Sequence, residues 1–436
     1  MEFIILLCII CAVPFLITLL ILPRQIKIMK EKGWIGKDIH KSARPEVAES
    51  GGISVLIGII SGLIILMIFI PAISLECVAV IISVISAALI GLIDDKLRLS
   101  AFKKIISVIF AAIPITTLYL LTNIIPGEPV VPFLGELRVT ILYIPFIPAF
   151  LAVLMNAVNM LEGYNGEGSG TSIIVVIALL VGSVIMSPSS NNSTTAFFMS
   201  CILLSALIAF FIFNKFPARV FPGDIGTLQV GMMLGCIAIL GNLEFVLIIA
   251  IMPHIFNAFH VIRSVRGFKE SKTIEVKDIK LIKDDLIKAS VEKEAPMTIP
   301  RIIAAYKPIS EPKLVFNIIM LNVVSTLLSI FSSVLVQATL DNHLFIIETW
   351  IWALLILAVS IIIAFIIPTI RGLVVAFLLV FFGVLGLLLF IDMYVIGLEL
   401  INWLVAGALA FGGLLAWYML SMRYFNHVIL RSSKTS

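Results

Sequence analysis

Residues 73–100 read ISLECVAVIISVISAALIGLIDDKLRLS. From Cys77 to Ile93 no residue is charged, and the run then ends on Asp94, Asp95 and Lys96. An apolar run of this kind suits a helix crossing hydrocarbon. Two adjacent carboxylates at its end raise a question, because charge beside hydrocarbon is costly and an acid there is a functional candidate by default. The plainer reading is a stop at the membrane surface, where charge is ordinary. On this stretch alone both readings stand.

The rest of the chain repeats the pattern. It has 436 residues, 61% hydrophobic and 13% charged, with a mean hydropathy of +1.18. A water-soluble protein carries about a quarter charged residues. Apolar runs fall near 3–22, 52–71, 74–93, 105–123, 139–156, 171–187, 196–213, 227–242, 244–262, 314–337, 345–367, 372–391 and 398–420. The expected fold is therefore all-α, a polytopic membrane helical bundle of about thirteen spans. The first run lacks the basic flank and small-residue cleavage site of a signal peptide and is read as a helix.

Charge orients the bundle. With the N-terminus outside and the C-terminus cytoplasmic, the inner segments are 23–50, 94–104, 157–170, 214–226, 263–313, 368–371 and the tail. They hold every one of the 30 Lys and Arg except Arg138, as retention of basic loops in the cytoplasm requires. Such a face attracts anionic lipid and phosphorylated substrates. No soluble basic domain exists to bind nucleic acid. The five cysteines lie in or beside apolar runs and form no disulfide framework, and the five histidines show no metal-ligand spacing.

The unusual polar groups fall in the same inner segments. They are PEVAESGG at 45–52, Asp94 and Asp95 with Lys103 and Lys104, NAVNMLEGYNGEGSG at 156–170, NKFPARVFPGDIGT at 214–227 and the loop from Arg263. One site assembled from several inner loops is the economical inference. Asn156 and Asn159 share a helix face, and the glycine-rich run after them lets backbone N–H groups approach a phosphate. Carboxylate, amide and phosphate oxygens are the hard ligands that Mg²⁺ prefers, Mn²⁺ being the alternative. The set suits phosphoryl transfer, where positioning and charge neutralisation do most of the catalysis. Each residue also has a plainer reading: Glu49 and Asp224 as helix caps, the asparagines as interhelical glue, Lys103 and Lys104 as interfacial anchors.

In their order PEVAESGGIS, GLIDDKLRL, NAVNMLEGYNGEGSG, FPARVFPGD and MPHIFNAFH, from about 45 to 265, these motifs resemble the polyprenyl-phosphate N-acetylhexosamine-1-phosphate transferases. The likeness is to the eukaryotic and archaeal branch that uses UDP-N-acetylglucosamine and dolichyl phosphate. It implies that Asp94 and Asp95 lie near the metal and the acceptor phosphate, and that Asn159 and Asp224 hold Mg²⁺. By the same likeness Asn165 and Phe221 surround the uracil, Glu49 lies beside the nucleotide sugar, and Lys104 lies near the lipid phosphate. Two features depart from the family. Arg98 stands where an asparagine is usual, and an Arg-His-Arg cluster after the ninth helix is absent. Arg263, Arg266 or Arg301 would stand in for that cluster.

The expected function is transfer of N-acetylhexosamine-1-phosphate, foremost N-acetylglucosamine-1-phosphate, from a UDP-sugar to polyprenyl or dolichyl phosphate, releasing UMP. The alternative is a secondary transporter. Transporter acids, however, lie near the bilayer midplane, in helices related by internal repeats, and here they lie at helix ends on one face. The expected partners are the nucleotide sugar, the lipid phosphate and the bilayer, with a homodimer as one assembly. The expected location is a cell membrane of archaeal type, or the endoplasmic reticulum in a eukaryote. Residues 1–340 are read as the transferase core and 341–436 as additional helices with a short tail. Within 263–313, apolar Ile279, Ile282, Leu286 and Ile287 suggest either an interfacial helix or a solvated loop.

Overall fold

The computed structural model describes residues 2–97, 99–122, 129–137, 140–186, 191–267, 274–341, 347–394 and 399–432. Arg98 and Arg138 lie outside them. The described chain is helical apart from three two-stranded antiparallel hairpins. It packs as two compact units, one from Met1–Pro126 with Ile141–Leu247 and the other from Gly127–Thr140 with Ile248–Ser436.

Among the described residues nine helices are long and apolar enough to cross a membrane, or ten if one bent pair counts as a single span. Among the described residues each expected apolar run falls mainly on helix, but two of them break at prolines. The run at 105–123 divides into Ala101–Ala111 and Ile113–Leu121, the second opening on Pro114. The run at 244–262 divides into Glu244–Ala250 and Met252–Ser264, bent by 66°, with Pro253 in the first turn of the second helix. Proline supplies no backbone N–H and clashes with the preceding turn, so a continuous apolar run is not a continuous helix.

In the first unit the elements are α1 (Glu2–Glu31), β1 (Ile35–Lys37), β2 (Glu46–Ala48), α2 (Gly52–Phe69), α3 (Ser74–Leu97), α4 (Ala101–Ala111), α5 (Ile113–Leu121), α6 (Thr140–Met160), α7 (Glu167–Ile185), α8 (Asn191–Asn214) and α9 (Gly223–Gly241). Helix α9 is the centre, with every residue from Ile225 to Gly241 buried. Its glycines admit neighbouring helices: a Cβ on Gly231 would lie 2.6 Å from the Met155 Cα of α6. Close backbone approach of this kind is how helices associate in lipid, where burial of apolar surface gives no drive. Between α1 and α2 a polar seam adds specificity, the Gln25 amide donating to the Ser50 carbonyl at 2.6 Å and accepting from the Ser54 hydroxyl.

The hairpin β1–β2 extends to the segment before α9. The Phe221 N–H donates to the Ala48 carbonyl at 2.8 Å, the Gly51 N–H to the Phe221 carbonyl at 2.9 Å, and the Gly52 N–H to the Pro222 carbonyl at 3.0 Å. Two of the quoted motifs, PEVAESGG and FPARVFPGD, are thus one backbone ladder.

The second unit holds β3 (Val130–Val131), β4 (Gly135–Glu136), α10's partner helix α11 (Met252–Ser264, after α10 at Glu244–Ala250), β5 (Ile279–Leu281), β6 (Ile287–Ala289), α12 (Ile299–Tyr306), α13 (Glu311–Leu340), α14 (Ile347–Ile366), α15 (Arg371–Tyr394) and α16 (Glu399–Ser432). Helix α16 packs against α11, Trp417 stacking on Phe256 at 4.1 Å between ring centroids. Of the apolar residues singled out in the 263–313 segment, Ile279 and Ile287 lie on a short hairpin rather than on an interfacial helix, and Ile282 and Leu286 flank its turn. Ile279 and Leu281 lie on β5 and Ile287 on β6, paired Ile279 with Ala289 and Leu281 with Ile287. Alternation in this stretch is the two-residue period of a half-buried strand.

Candidate active site

The end of α3, the start of α4, the end of α6 and the start of α9 converge, and each brings one polar side chain. The Lys104 ammonium lies 2.6 Å from Asp94 Oδ2, 2.6 Å from Asp224 Oδ2 and 3.3 Å from Asn159 Oδ1. The Asn159 amide donates to Asp224 Oδ1 at 2.7 Å and to the Thr227 hydroxyl at 2.8 Å. Asp94 also accepts the Leu99 N–H at 2.8 Å, which ties the turn after α3 back to its last residues. Burying carboxylates is unfavourable unless they are paired and hydrogen-bonded, and here one lysine serves two of them. Burial opposes the Lys104 charge, but the Asp224 and Asp94 carboxylates outweigh it and hold its pKa above the ordinary lysine range.

The two adjacent aspartates have different work. Asp94 belongs to the lysine network. Asp95 Oδ1 accepts the Asp224 N–H at 3.0 Å and so caps the N-terminus of α9 from outside, where orphan N–H groups favour a carboxylate. Gly223, at φ +68, makes the turn that opens α9, and a Cβ there would lie 2.7 Å from Asp95 Oδ2. The resemblance puts both aspartates near the metal and the acceptor phosphate, and the structure adds that the Asp95 carboxyl holds the helix that carries Asp224.

Three oxygens (two carboxylate, one amide) surround one positive charge in this network. They are the hard donors a divalent cation takes, and the ammonium stands where such an ion would be neutralised, so the residues present fit Mg²⁺. Thr227 was not singled out from the sequence. Its signal is the spacing Asp224-x-x-Thr227, which puts both on one face of α9.

Asn165 is 3% exposed and engaged at both ends, its amide donating to Asp38 Oδ2 at 3.0 Å and its oxygen accepting the Ala218 N–H at 2.9 Å. This side chain therefore ties two loops together, in the segment that the resemblance places around the uracil. Phe221 is half-buried with its backbone in the ladder described above, and Glu49 is exposed, its N–H donating to the Trp34 carbonyl at 3.0 Å.

The three arginines lie in the second unit and part company there. Arg301 is 2% exposed, and its guanidinium donates to the carbonyls of Ser290, Glu292, Ala295 and Pro296 at 2.6–3.2 Å. It also lies 4.9 Å from the Phe425 ring. Arg301 therefore holds its own loop together and is withdrawn as a substrate contact. Arg263 and Arg266, with Phe259, Ile262 and Gly267, line an open pocket at the end of α11. Arg266 takes φ +59, a left-handed conformation usually left to glycine after a helix.

Glu162, in the loop after α6, has one carboxylate oxygen buried without a hydrogen-bond partner. Burial pushes its pKa up to about 8, against a weaker opposing bond from the Gly168 N–H. Between the unfolded value near 4.5 and about 8, the folded state keeps a proton that the unfolded chain has lost, so stability falls as pH rises through that window. The apparent melting temperature of the protein in detergent is expected to drop from pH 5 to pH 8, and the Glu162→Gln variant to show a flatter profile. An unchanged slope in that variant would remove Glu162 as the source.

Comparisons with known proteins cover the segments that form this site. The sequence profile of glycosyl transferase family 4 matches residues 77–242, which contain Asp94, Asp95, Lys104, Asn159, Asn165, Phe221 and Asp224. A Sulfolobus acidocaldarius protein, provisionally named UDP-N-acetylglucosamine–dolichyl-phosphate N-acetylglucosaminephosphotransferase, is 32% identical over 262 residues, covering 59% of this chain and 77% of its own. A Saccharolobus solfataricus protein of the same provisional name is 34% identical over 231 residues, covering 53% and 70%. A phospho-N-acetylmuramoyl-pentapeptide-transferase of Clostridium beijerinckii is 29% identical over 198 residues, covering 43% and 59%. With a relative above 30% identity matched over more than two thirds of its length, and the carboxylate–lysine–asparagine network inside the matched region, the chain belongs to glycosyl transferase family 4, among the polyprenyl-phosphate N-acetylhexosamine-1-phosphate transferases.

Proposed function

We propose that this protein transfers N-acetylglucosamine-1-phosphate from UDP-N-acetylglucosamine to a polyprenyl phosphate of the dolichyl type, in a multi-pass membrane bundle whose site faces the cytoplasm. The observation that carries the reading is the convergence of Asp94, Lys104, Asn159 and Asp224 from four separate helices. The basic bias of the inner segments supports the orientation, with the N-terminus outside and about thirteen crossings.

An oxygen of the acceptor phosphate attacks the β-phosphorus of the nucleotide sugar. The bond from that phosphorus to the bridging oxygen breaks, and UMP leaves with the oxygen and the electron pair. A phosphate monoester has its second pKa near 6, so much of the acceptor is already dianionic and needs no strong base. Asp224 and Asn159 would hold Mg²⁺, whose positive charge would offset that of the diphosphate and of the leaving UMP. Lys104 offsets part of the charge of Asp94 and Asp224, and its ammonium suits the lipid phosphate. Asp95 keeps Asp224 in place by capping α9. The turn at Asn165 and the Phe221 ring are assigned to the nucleobase, Glu49 to the sugar end, and Arg263 and Arg266 to the anionic substrate. Positioning and charge, rather than proton transfer, supply most of the rate.

The test is release of UMP by purified protein given UDP-N-acetylglucosamine and polyprenyl phosphate, with Mg²⁺ and with chelator. Release that requires both lipid acceptor and metal is the expected result. A transporter would release none, and folded protein inert toward several acceptors and UDP-sugars would overturn the proposal.

A further inference from the structure

Four residues between α1 and α2, Asp38-Ile39-His40-Lys41, received no task from the sequence. Yet Asp38 is 3% exposed, and aspartate is seldom buried without partners. It accepts the Asn165 amide at 3.0 Å and the His40 N–H at 3.2 Å, and the Lys41 ammonium closes an ion pair with it. Its own N–H donates to the Pro45 carbonyl at 3.0 Å, which closes the turn. The neighbours reach outward as well. The His40 ring stacks on Tyr164 at 4.2 Å, and the Lys41 ammonium lies 4.6 Å from the Phe216 ring centroid.

These contacts join three loops of the first unit: the one after α1, the one after α6 that carries Tyr164 and Asn165, and the one before α9 that carries Phe216 and Ala218. Asn165 is the link. Its amide has a donor end and an acceptor end that differ by one atom, so its orientation has to be set by its partners. Asp38, as a carboxylate, only accepts, and the Ala218 N–H only donates. Together they fix the amide one way round. Phe221 lies in the same frame, through its ladder to Ala48 and Gly51. The pairing with Lys41 also neutralises Asp38, so its charge does not repel a nucleotide diphosphate.

We propose that Asp38 is a positioning residue for the nucleotide end of the site, holding Asn165 and thereby the turn from Tyr164 to Gly166 in the shape that receives the nucleobase of the sugar donor. The proposal rests on the reading above that assigns this turn and Phe221 to the base. Asp38 acts through Asn165 and touches no reacting atom.

The experiment compares full-length wild type with Asp38→Ala, Asp38→Asn and Asn165→Ala. Michaelis constants for UDP-N-acetylglucosamine and for polyprenyl phosphate are measured separately from kcat, and the rise in melting temperature caused by UDP alone gives a readout without turnover. Asp38→Ala is expected to raise the KM for the nucleotide sugar about tenfold while kcat stays within about twofold. The KM for the lipid should not move, UDP should stabilise the variant less, and discrimination against the cytidine analogue of the donor should fall. The double variant Asp38→Ala/Asn165→Ala should be no worse than the poorer single one, because the two act as a unit. An unchanged nucleotide KM with a full UDP effect in Asp38→Ala would overturn the proposal. So would a uniform loss of kcat, both Michaelis constants and melting temperature, which marks a merely structural residue. Wild-type protein that neither releases UMP nor responds to UDP would instead overturn the functional reading beneath it.

Discussion

Asp224→Asn is expected to lower UMP release by a factor on the order of 10³, with the fold retained. The substitution keeps the side chain's shape and its place in the first turn of α9, and removes one negative charge. That charge is what Lys104 Nζ meets at 2.6 Å and what a divalent cation would meet in its stead. Asparagine is as good as aspartate at capping a helix, so a purely structural Asp224 would tolerate the change. The cap of α9 comes in any case from Asp95. UMP release decides the matter, beside the stabilisation of the protein by Mg²⁺ in a melting experiment. Both should be present in wild type and lost together in the variant. Release within tenfold of wild type would remove Asp224 from the metal-binding set and leave Asp94 and Asn159 as its candidates.

Gly91→Ala should be nearly as damaging, although Gly91 carries no chemistry. It lies on α3 one turn before Asp94 and Asp95, where α3 crosses the start of α9. A Cβ at this position would lie 2.5 Å from the Asp224 carbonyl carbon and oxygen and from the Ile225 nitrogen. Those are backbone atoms in a packed helix, so no rotamer change can relieve the contact, and the two helices must separate. Overpacking of this kind costs about 1–3 kcal/mol of stability. The larger effect is on activity, because the helices that separate carry Asp94 and Asp95 on one side and Asp224 on the other. Displacing reacting groups by about 1 Å can cost a factor of about 10². The expected result is folded protein with UMP release down by that factor and every proposed ligand still present. Gly91→Ala with wild-type turnover would mean that the α3–α9 crossing is slack, and that the aspartates are not held to a tight geometry.

Much of this was legible in the chain itself. Apolar runs, the basic segments between them and the order of the polar motifs are local properties, so the helical class and the gathering of unusual polar groups in the 45–52, 94–104, 156–170 and 214–227 segments could be read directly. Even the question raised by Asp94 and Asp95 had the right form, since an acid at the end of an apolar helix asks for a partner. Its partner could not be read. Lys104 and Asp224 are 120 residues apart, and Asn159 and Asp224 are 65 apart. No periodicity or spacing rule connects positions at that distance.

What the amino-acid sequence by itself determined is therefore the element type and the chemistry available at each loop, because hydropathy, proline and charge act on their own neighbourhood. Only the tertiary structure decided how that chemistry is shared out. It separated Asp95, which caps α9, from Asp94, which pairs with Lys104, and it set Asn165 between Asp38 and the Ala218 N–H. It also enclosed Arg301 among carbonyls while Arg263 and Arg266 line an open pocket. The physical reason is the same in each case. Whether a polar group is free to meet a ligand depends on which donors and acceptors packing brings within about 3 Å of it, and packing is settled by contacts between elements far apart in the chain.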